Sequence, residues 1–396
     1  MKKEEKYIAR RYDTPLRDRE YTNLVYSSGK YGKDTVKMMG EIETRDYPKE
    51  MEYKIYIGEM HGHTNLSDAL PDIDSYFKTA RDVAKLDFTA ISDHDHGGVH
   101  SSELWGEKWD LIKRKVKEYY KPGEFTTILA YERDSYPWYN NLVVYFNSHD
   151  GEIVRGSVDG EINSQELSEL LTRDDVIVVP HTTSFIDSGT DFHSIPLELM
   201  TPLIEVYSRW GADEYFDNPY PVRIGTRGGF WQDALKKGAR MGCICGSDDH
   251  HGYPGLIMES SHANLNYIYP GLTGVLAKEN TVSSIFEALK ARRCYGFMGG
   301  RIYIDFRING HYMGEEFNSS ETRNIYFKVD ADARIKRITL VKNLEDYMYF
   351  LGFKNSNSYA KLIYDYDIVN ETDIYYLRIE LEDGRLAWTS PIWIMG

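Results

Sequence analysis

Between residues 53 and 297, short apolar runs alternate with stretches of helical period, and run after run ends on a histidine or a carboxylate. Apolar runs bounded by helices are the pattern of strands buried on both faces, which calls for parallel strands and crossover helices. The runs lie within YKIYIGEMHGH at 53–63, LDFTAIS at 86–92, FTTILAY at 125–131, VIVVP at 176–180, LIEVY at 203–207, MGCICGS at 241–247 and LTGVLA at 272–277. Ile73, Phe77, Ala80 and Val83 recur at helical spacing between the first two, and further helical stretches fall near 106–119, 167–171, 228–237 and 282–292. This number of runs in this length suits a distorted (β/α)7 barrel better than a small doubly wound sheet. His61, His94, Glu132, His181 and Asp248 each stand at or just past the end of a run. In such a barrel those strand ends converge on one face.

The chain divides into three parts. Residues 1–52 are charged and weakly periodic, a lead-in that is either an extra strand pair or a surface wrap. The barrel is expected over 53–297. From 298 to 396 the stretches RIYIDFRI, NIYFKVDA, RIKRITLVKN and IYYLRIELED alternate with period two, so a small all-β sandwich should follow, on a sheet of its own and docked near the barrel rim. Gly299 and Gly300 are the expected bend. Composition narrows the function classes. Hydrophobic residues at 41% and charged residues at 28% exclude a disordered chain. Lys plus Arg at 47 against Asp plus Glu at 62 gives a formal charge of −15, which argues against non-specific nucleic-acid or anionic-membrane partners. The opening MKKEEKYIARR has no apolar stretch behind it, and no run reaches the roughly 18 residues of a membrane span, so a soluble cytoplasmic chain is expected. Cys243, Cys245 and Cys294 are too few for a disulfide framework, and the first two read as small buried hydrophobes.

The strand ends carry the chemistry. His61 and His63 are two residues apart, so both imidazoles can reach one ion. Asp68, the Asp93-His94-Asp95-His96 run, Glu132, His181 and the Asp248-Asp249-His250-His251 run follow. Imidazole with carboxylate suits manganese, zinc or iron, and carboxylates can bridge two ions about 3.5–4 Å apart. A single HxH or DHD is often no more than a polar turn; their conjunction on one rim is what points to a metal centre. His96, His100 and His251 read as loop residues, Asp249 as a group behind the ligands or facing solvent, and His149, His193, His262 and His311 have no suitable company. The chain has no GxSxG elbow and no P-loop. Asp68, Glu205 and His250 are rival proton handlers. Arg209, Arg227, Arg292 and Arg293 are candidates to clamp a phosphate. Trp138, Tyr139, Tyr207, Trp210 and Trp231, if they line the mouth, select a small-molecule substrate with a ring or an apolar leaving group.

GEMHGHTNLSDA at 58–69, AISDHDH at 90–96, Glu132, Pro180-His181 and SDDH at 247–250 together resemble the successive motifs of the PHP superfamily, the polymerase and histidinol phosphatase metal-dependent hydrolases. ALKARRCYGFMGGRIYIDF at 288–306 and DGRLAWTSPIWI at 383–394 are most similar to its carbaryl-hydrolase-like group, so the resemblance spans 53–396. It implies a distorted (β/α)7 barrel. It implies that His61, His63, Glu132 and Asp248 hold one ion, that Asp68, His94 and His250 hold another, and that Glu132 and His181 touch a third. Asp93 would orient a ligand histidine. Two departures stand out. Glu59-Met60 replaces the usual Asp-Leu, and Glu59 is then free to orient a ligand or bind backbone. Asn140 and Asn141 stand where related proteins supply a further ligand histidine, which favours two tightly held ions over three. The implied activity is hydrolysis by a metal-bound hydroxide, with a phosphoester as the leading substrate. A carboxyl ester or carbamate is the alternative, and a metal-stabilised ligand-binding module comes third.

Overall fold

The computed structural model describes residues 50–95, 104, 106–134, 141–154, 164–185, 189–220, 225–259, 267–351, 356–367, 369 and 371–396, with the backbone of two strands at 24–27 and 36–38. The chain is mixed α/β and rich in strands. Lys54–Glu59 (β1) pairs in parallel with Phe88–Ile91 (β2), which pairs in parallel with Thr126–Asp134 (β3). Asn141–Phe146 (β4) lies antiparallel between β3 and Val176–His181 (β5). Leu203–Ser208 (β6) and Gly242–Cys245 (β7) are parallel to each other in a separate three-stranded sheet. Gly271–Ala277 (β8) runs antiparallel to β1 and to Cys294–Met298 (β9). Helices Ile73–Lys78, Glu107–Tyr119, Ser164–Thr172, Trp231–Lys237 and Val282–Lys290 pack around them. Among the described residues no helix is long and apolar enough to cross a membrane.

The strands of the expected distorted (β/α)7 barrel are not all parallel. Between residues 54 and 298 the parallel ladders are β1–β2–β3 and β6–β7, and no ladder closes the sheet among the described residues. The physical reason is clearest at β3 and β4. Only 135–140 separate them, too few for the dozen or more residues of a crossover, so the chain turns back as a hairpin. One directional property survives. β5 is antiparallel to β4, which is antiparallel to β3, so β1, β2, β3 and β5 all point the same way. Asp248, beyond β7, donates its backbone N–H to the His61 carbonyl at 2.9 Å, which brings that strand end to the same rim.

From Ile302 onward every described element is a strand. His311–Tyr312, Ile302–Ile308, Arg323–Ala331 and Ser358–Asp365 form a four-stranded antiparallel sheet. It faces Glu345–Phe350, Ile335–Lys342, Thr372–Leu381 and Leu386–Thr389, with Phe327 and Phe350 meeting between the layers at a ring separation of 4.9 Å. The second layer is not a sheet of its own. Leu386–Thr389 pairs with β9, β9 with β8 and β8 with β1, so one sheet of 15 strands crosses the boundary expected at 297/298. Both edges of β9 are buried, and a buried strand edge needs a partner on each side; β8 fills one and Leu386–Thr389 the other. Gly299 and Gly300, at φ +60° and +74°, turn the chain out of β9 as expected. In the lead-in, Leu24–Ser27 pairs with Val36–Met38 and with Glu345–Phe350, extending this sheet.

A buried ion pair locks the strand-rich half onto the first. Arg378 donates through Nε to both Glu214 oxygens at 2.8 Å and through Nη1 to Asp346 at 2.9 Å. Trp388 Nε1 and the Tyr376 hydroxyl also donate to Glu214, at 2.6 and 2.7 Å. Removing one member of such a pair strands the other charge without water. Arg378→Ala should cost about 3–5 kcal/mol in denaturant unfolding, and Arg378→Met with Glu214→Leu should recover most of it. A loss below about 1 kcal/mol in the single variant would show that the pair does not hold the halves together.

Candidate metal centre

His61, Gly62 and His63 leave β1 in extended register, so the two imidazoles fall on one side and Gly62 faces the other. A Cβ at Gly62 would sit 2.1 Å from the Tyr76 hydroxyl oxygen, so only glycine fits between them. Glu132 comes from β3, and Asp248 from the turn after β7, where it holds φ +53°, a left-handed conformation that aspartate tolerates better than most residues. His61 Nε2, His63 Nε2, Glu132 Oε2 and Asp248 Oδ1 converge. His61 and His63 stand 3.2 Å apart, each is 3.1 Å from Glu132, and Asp248 is 3.0 Å from His63 and 3.7 Å from His61. All four residues are buried. Ligands about 2.0–2.1 Å from a tetrahedral ion lie about 3.3 Å from one another, so these residues fit a divalent ion of the zinc type.

A second group lies on the solvent side. Asp68 Oδ2 is 3.1 Å from His250 Nε2, and Asp68 Oδ1 is 3.9 Å from His94 Nε2. His250 Nδ1 lies 3.0 Å from the Asp248 carbonyl oxygen and donates to it, which leaves Nε2 as its ligand atom. The side chains of Asp68, His94 and His250 are 13%, 19% and 15% exposed, against 0–6% in the inner group. Behind the inner group, Glu205 on β6 takes His61 Nδ1 at 2.9 Å and His181 Nδ1 at 2.5 Å. This carboxylate sets the tautomer of both rings and turns each Nε2 toward the cluster.

Charges in the cluster hold one another. Burial pulls the His61 imidazole down, but Glu205 and Glu132 outweigh it and hold it well above the usual histidine range. His181 is likewise lowered by burial yet pushed up by Glu205, to about 10. Glu132 and Asp248 stay below the carboxylate range despite burial, Glu132 through His94 and His61, and Asp248 through the His181 and His63 hydrogen bonds. Protons occupy the positive role that ions would take.

Several neighbours do something other than expected. Asp93 does not touch a ligand ring; its oxygens accept from Thr64 N at 2.7 Å, Thr64 Oγ1 at 2.7 Å and Ser67 Oγ at 2.6 Å, which fixes the turn carrying His63 and Asp68. Glu59 takes one of its two expected roles and binds backbone, accepting from Ser247 N at 2.8 Å and His61 N at 3.3 Å, and burial raises its carboxyl to about 8. Asp249 is buried, not solvent-facing, and accepts from the N–H groups of His251, Gly252 and Tyr253. Of the four arginines only Arg209 reaches the cluster, with Nε 3.9 Å from Asp248 Oδ2. Arg227 lies over Phe216, Arg292 pairs with Glu316 and Arg293 with Glu287. Tyr207 and Trp231 are core residues that donate to the Tyr269 and Met241 carbonyls, so neither lines the mouth. Trp210 does stand at the cluster, donating its indole N–H to Asp248 Oδ2. Trp138, Tyr139, Asn140, His96, His100 and His262 lie outside the described residues. Asn141 was read only as a weak ligand; it donates to Glu132 Oε1 at 2.7 Å. Recognising the β3–β4 hairpin would have revealed this, because Asn141 pairs opposite Asp134 and so sits diagonally across from Glu132 on the same face.

A family model described as a protein of unknown function, DUF3604, matches residues 240–333, which include Asp248 and His250. An uncharacterized protein of Chlamydia pneumoniae is 27% identical over 366 residues, covering 85% of this chain and 57% of its own length. One from Chlamydia muridarum is 26% identical over 377 residues with the same coverage, so the chain spans 57% of the length of these curated relatives. Among solved structures, the chain is similar to a two-domain protein containing a predicted PHP-like metal-dependent phosphoesterase from Bacteroides vulgatus, at 14% identity and a TM-score of 0.40, covering 87% of this chain and 97% of that one.

Asp213 supports the segment after His181, accepting from Ser184 Oγ at 2.5 Å and Thr183 Oγ1 at 3.5 Å. Burial raises its carboxyl to about 7, with the Ser184 hydrogen bond opposing. Unfolded, it would lose its proton near 3.9. Between those values the unfolded chain binds fewer protons than the folded one, so this group lowers stability as pH rises from about 4 to 7, and the penalty persists above. Asp213→Asn has no such slope. Its melting temperature relative to wild type should climb from pH 5 to pH 8; a difference that stays flat across this range would place the buried proton elsewhere.

Proposed function

We propose that the chain is a metal-dependent hydrolase, acting first on phosphoesters, with its centre built from His61, His63, Asp68, His94, Glu132, His181, Asp248 and His250. The observation that carries this reading is the convergence of four donor atoms in the buried group, at separations of 3.0–3.7 Å. All four side chains stand in the PHP-like motifs, so the sequence resemblance and the geometry support each other. Bound divalent ions lower the pKa of water toward neutrality and polarise the oxygen of the bond to be cleaved.

The residues themselves divide the remaining work. His61, His63, Glu132 and Asp248 hold the inner ion, while Asp68, His94 and His250 hold the outer one at the solvent face. His181 and Glu205 orient the ring and carboxylate of their neighbours. Without the outer ion, His250 Nε2 and Asp68 Oδ2 face each other at 3.1 Å and share a proton, which the ion would displace on binding. Charge favours a phosphoester over a carboxyl ester or carbamate. The Arg209 guanidinium stands beside the cluster, 3.9 Å from Asp248, where it can meet a phosphate oxygen. Trp210, 37% exposed and next to Arg209 at 5.5 Å, offers a ring face to an apolar leaving group.

The test is a parallel assay of para-nitrophenyl phosphate, bis-para-nitrophenyl phosphate, para-nitrophenyl acetate and a naphthyl carbamate, with manganese, zinc and iron in turn. Phosphate turnover is expected, reduced by roughly 100-fold or more in His61→Ala and Asp248→Ala. Arg209→Ala should raise KM for the phosphates by about tenfold. Turnover of only the acetate and carbamate would replace the phosphoester reading with the carbonyl one.

A further inference from the structure

We infer that the chain carries a second binding cleft, at the opposite ends of strands that reach the metal centre, and that it takes a small molecule with an apolar body and an anionic head group. The inference stands on its own observations and not on the hydrolase reading. The cleft has a volume of about 450 Å³, within the range of roughly 300–1,000 Å³ usual for small-molecule sites. Its wall runs along 176–178 at the start of β5, Thr201 and Pro202 before β6, and 238–240 before β7. His181, Glu205 and Asp248 lie farther along the same strands or just past them. Val176 and His181 stand at the two ends of β5, roughly 16 Å apart at the rise of an extended strand. The cleft and the centre are therefore separate sites.

The lining is apolar on one part and cationic on another. Leu171, Met200 and the exposed Leu197 supply the apolar part. Arg173, Arg240, Lys290 and Arg292 supply the cations, against Glu198 alone among the described acidic residues of the wall. This reverses the balance of the chain, in which Asp plus Glu outnumber Lys plus Arg by 62 to 47. Each cation has a carboxylate partner outside the wall. Arg173 meets Asp175 at 2.6 Å and Lys290 meets Asp174 at 2.7 Å; both partners are exposed, and surface pairs of this kind are weak enough to give way to another anion. Arg240 and Arg292 share Glu316, at 2.9 and 2.7 Å, so two guanidiniums divide one carboxylate and keep one positive charge between them.

Arg292 is held in place for this role. Its backbone has φ +59°, a left-handed conformation that suits glycine far better than a long side chain. Its Nε donates to the Gly314 carbonyl at 3.1 Å, and the guanidinium lies 5.1 Å from the centre of the Trp393 ring. Burial pulls the group below the usual arginine range while Glu316 opposes it, and a second anion would add to that support. Expected at the rim as a phosphate clamp, Arg292 offers the same chemistry at the other end of the strands. Phosphate and carboxylate both match its planar fork.

Isothermal titration calorimetry of the full chain with naphthoate, naphthylmethylphosphonate and the neutral naphthylmethanol tests this. Asp248→Ala is titrated beside the wild type, so that anions held by the metal centre are told apart; wild type stripped of metal with EDTA serves if that variant does not fold. One equivalent of anion should survive in Asp248→Ala, with the alcohol at least about tenfold weaker. Arg292→Gly, which suits the local backbone, and separately Arg240→Met should each weaken the anions about tenfold or more. Glu316→Gln frees both guanidiniums and should strengthen anion binding about two- to fivefold, a direction that a merely structural role for the arginines does not predict. Binding of either anion on these terms supports the site, and the tighter one names the head group. No binding by either anion, an alcohol as tight as the anions, loss of all binding when the centre is disabled, or affinity unchanged in both arginine variants would each overturn the inference.

Discussion

Three carboxylates, Glu132, Glu205 and Asp248, are buried beside three imidazoles in a wall of apolar strands, and the centre exists only because every one of their oxygens faces an N–H group or a ligand position. An unpaired carboxylate in such a place costs several kcal/mol, and removing one partner of a buried pair costs about 3–5 kcal/mol. The matching is close here. Glu205 spans His61 and His181, Glu132 spans the inner donors and Asn141, and Asp248 spans the inner donors and Trp210. Charge satisfaction of this kind is also the preorganisation an ion needs, because each ring is already turned before the ion arrives.

That requirement reaches back into the fold. Glu59 ties the His61 backbone to the Ser247 turn ahead of Asp248, and Asp93 ties the Thr64–Ser67 turn between His63 and Asp68. The loop holding Asp213 and Glu214 carries the coupling further. Asp213 supports the segment following His181, and Glu214 is held by Arg378 and Trp388 of the strand-rich half. The continuous sheet through β9 is the backbone counterpart of that link, so the second half is part of the scaffold that sets the centre.

The candidate ligands were legible because metal chemistry draws on few side chains. His61 and His63 two residues apart, followed by carboxylates and histidines at successive apolar strand ends, carry their meaning locally. What was not legible depends on pairing between distant segments. The β3–β4 hairpin was hidden because an apolar run such as LVVYF reads alike whether its strand is parallel or antiparallel, and with it went the partnership of Asn141 and Glu132. Tyr207 and Trp231 look like mouth residues by position in the chain, yet both are buried with their polar atoms on carbonyls, a matter of packing that composition cannot settle. The shared sheet escaped for the same reason: the period-two rhythm after Gly300 announces strands without saying that Leu386–Thr389 will pair with β9.

The central claim is that these strand ends form one metal centre, and anomalous X-ray diffraction from crystals grown with manganese or zinc tests it most directly. The account predicts a strong peak enclosed by His61, His63, Glu132 and Asp248, a weaker one beside Asp68, His94 and His250, and none between His181 and Glu205. Crystals of active protein with no peak inside the inner group, or with the ion bound elsewhere on the chain, would contradict it.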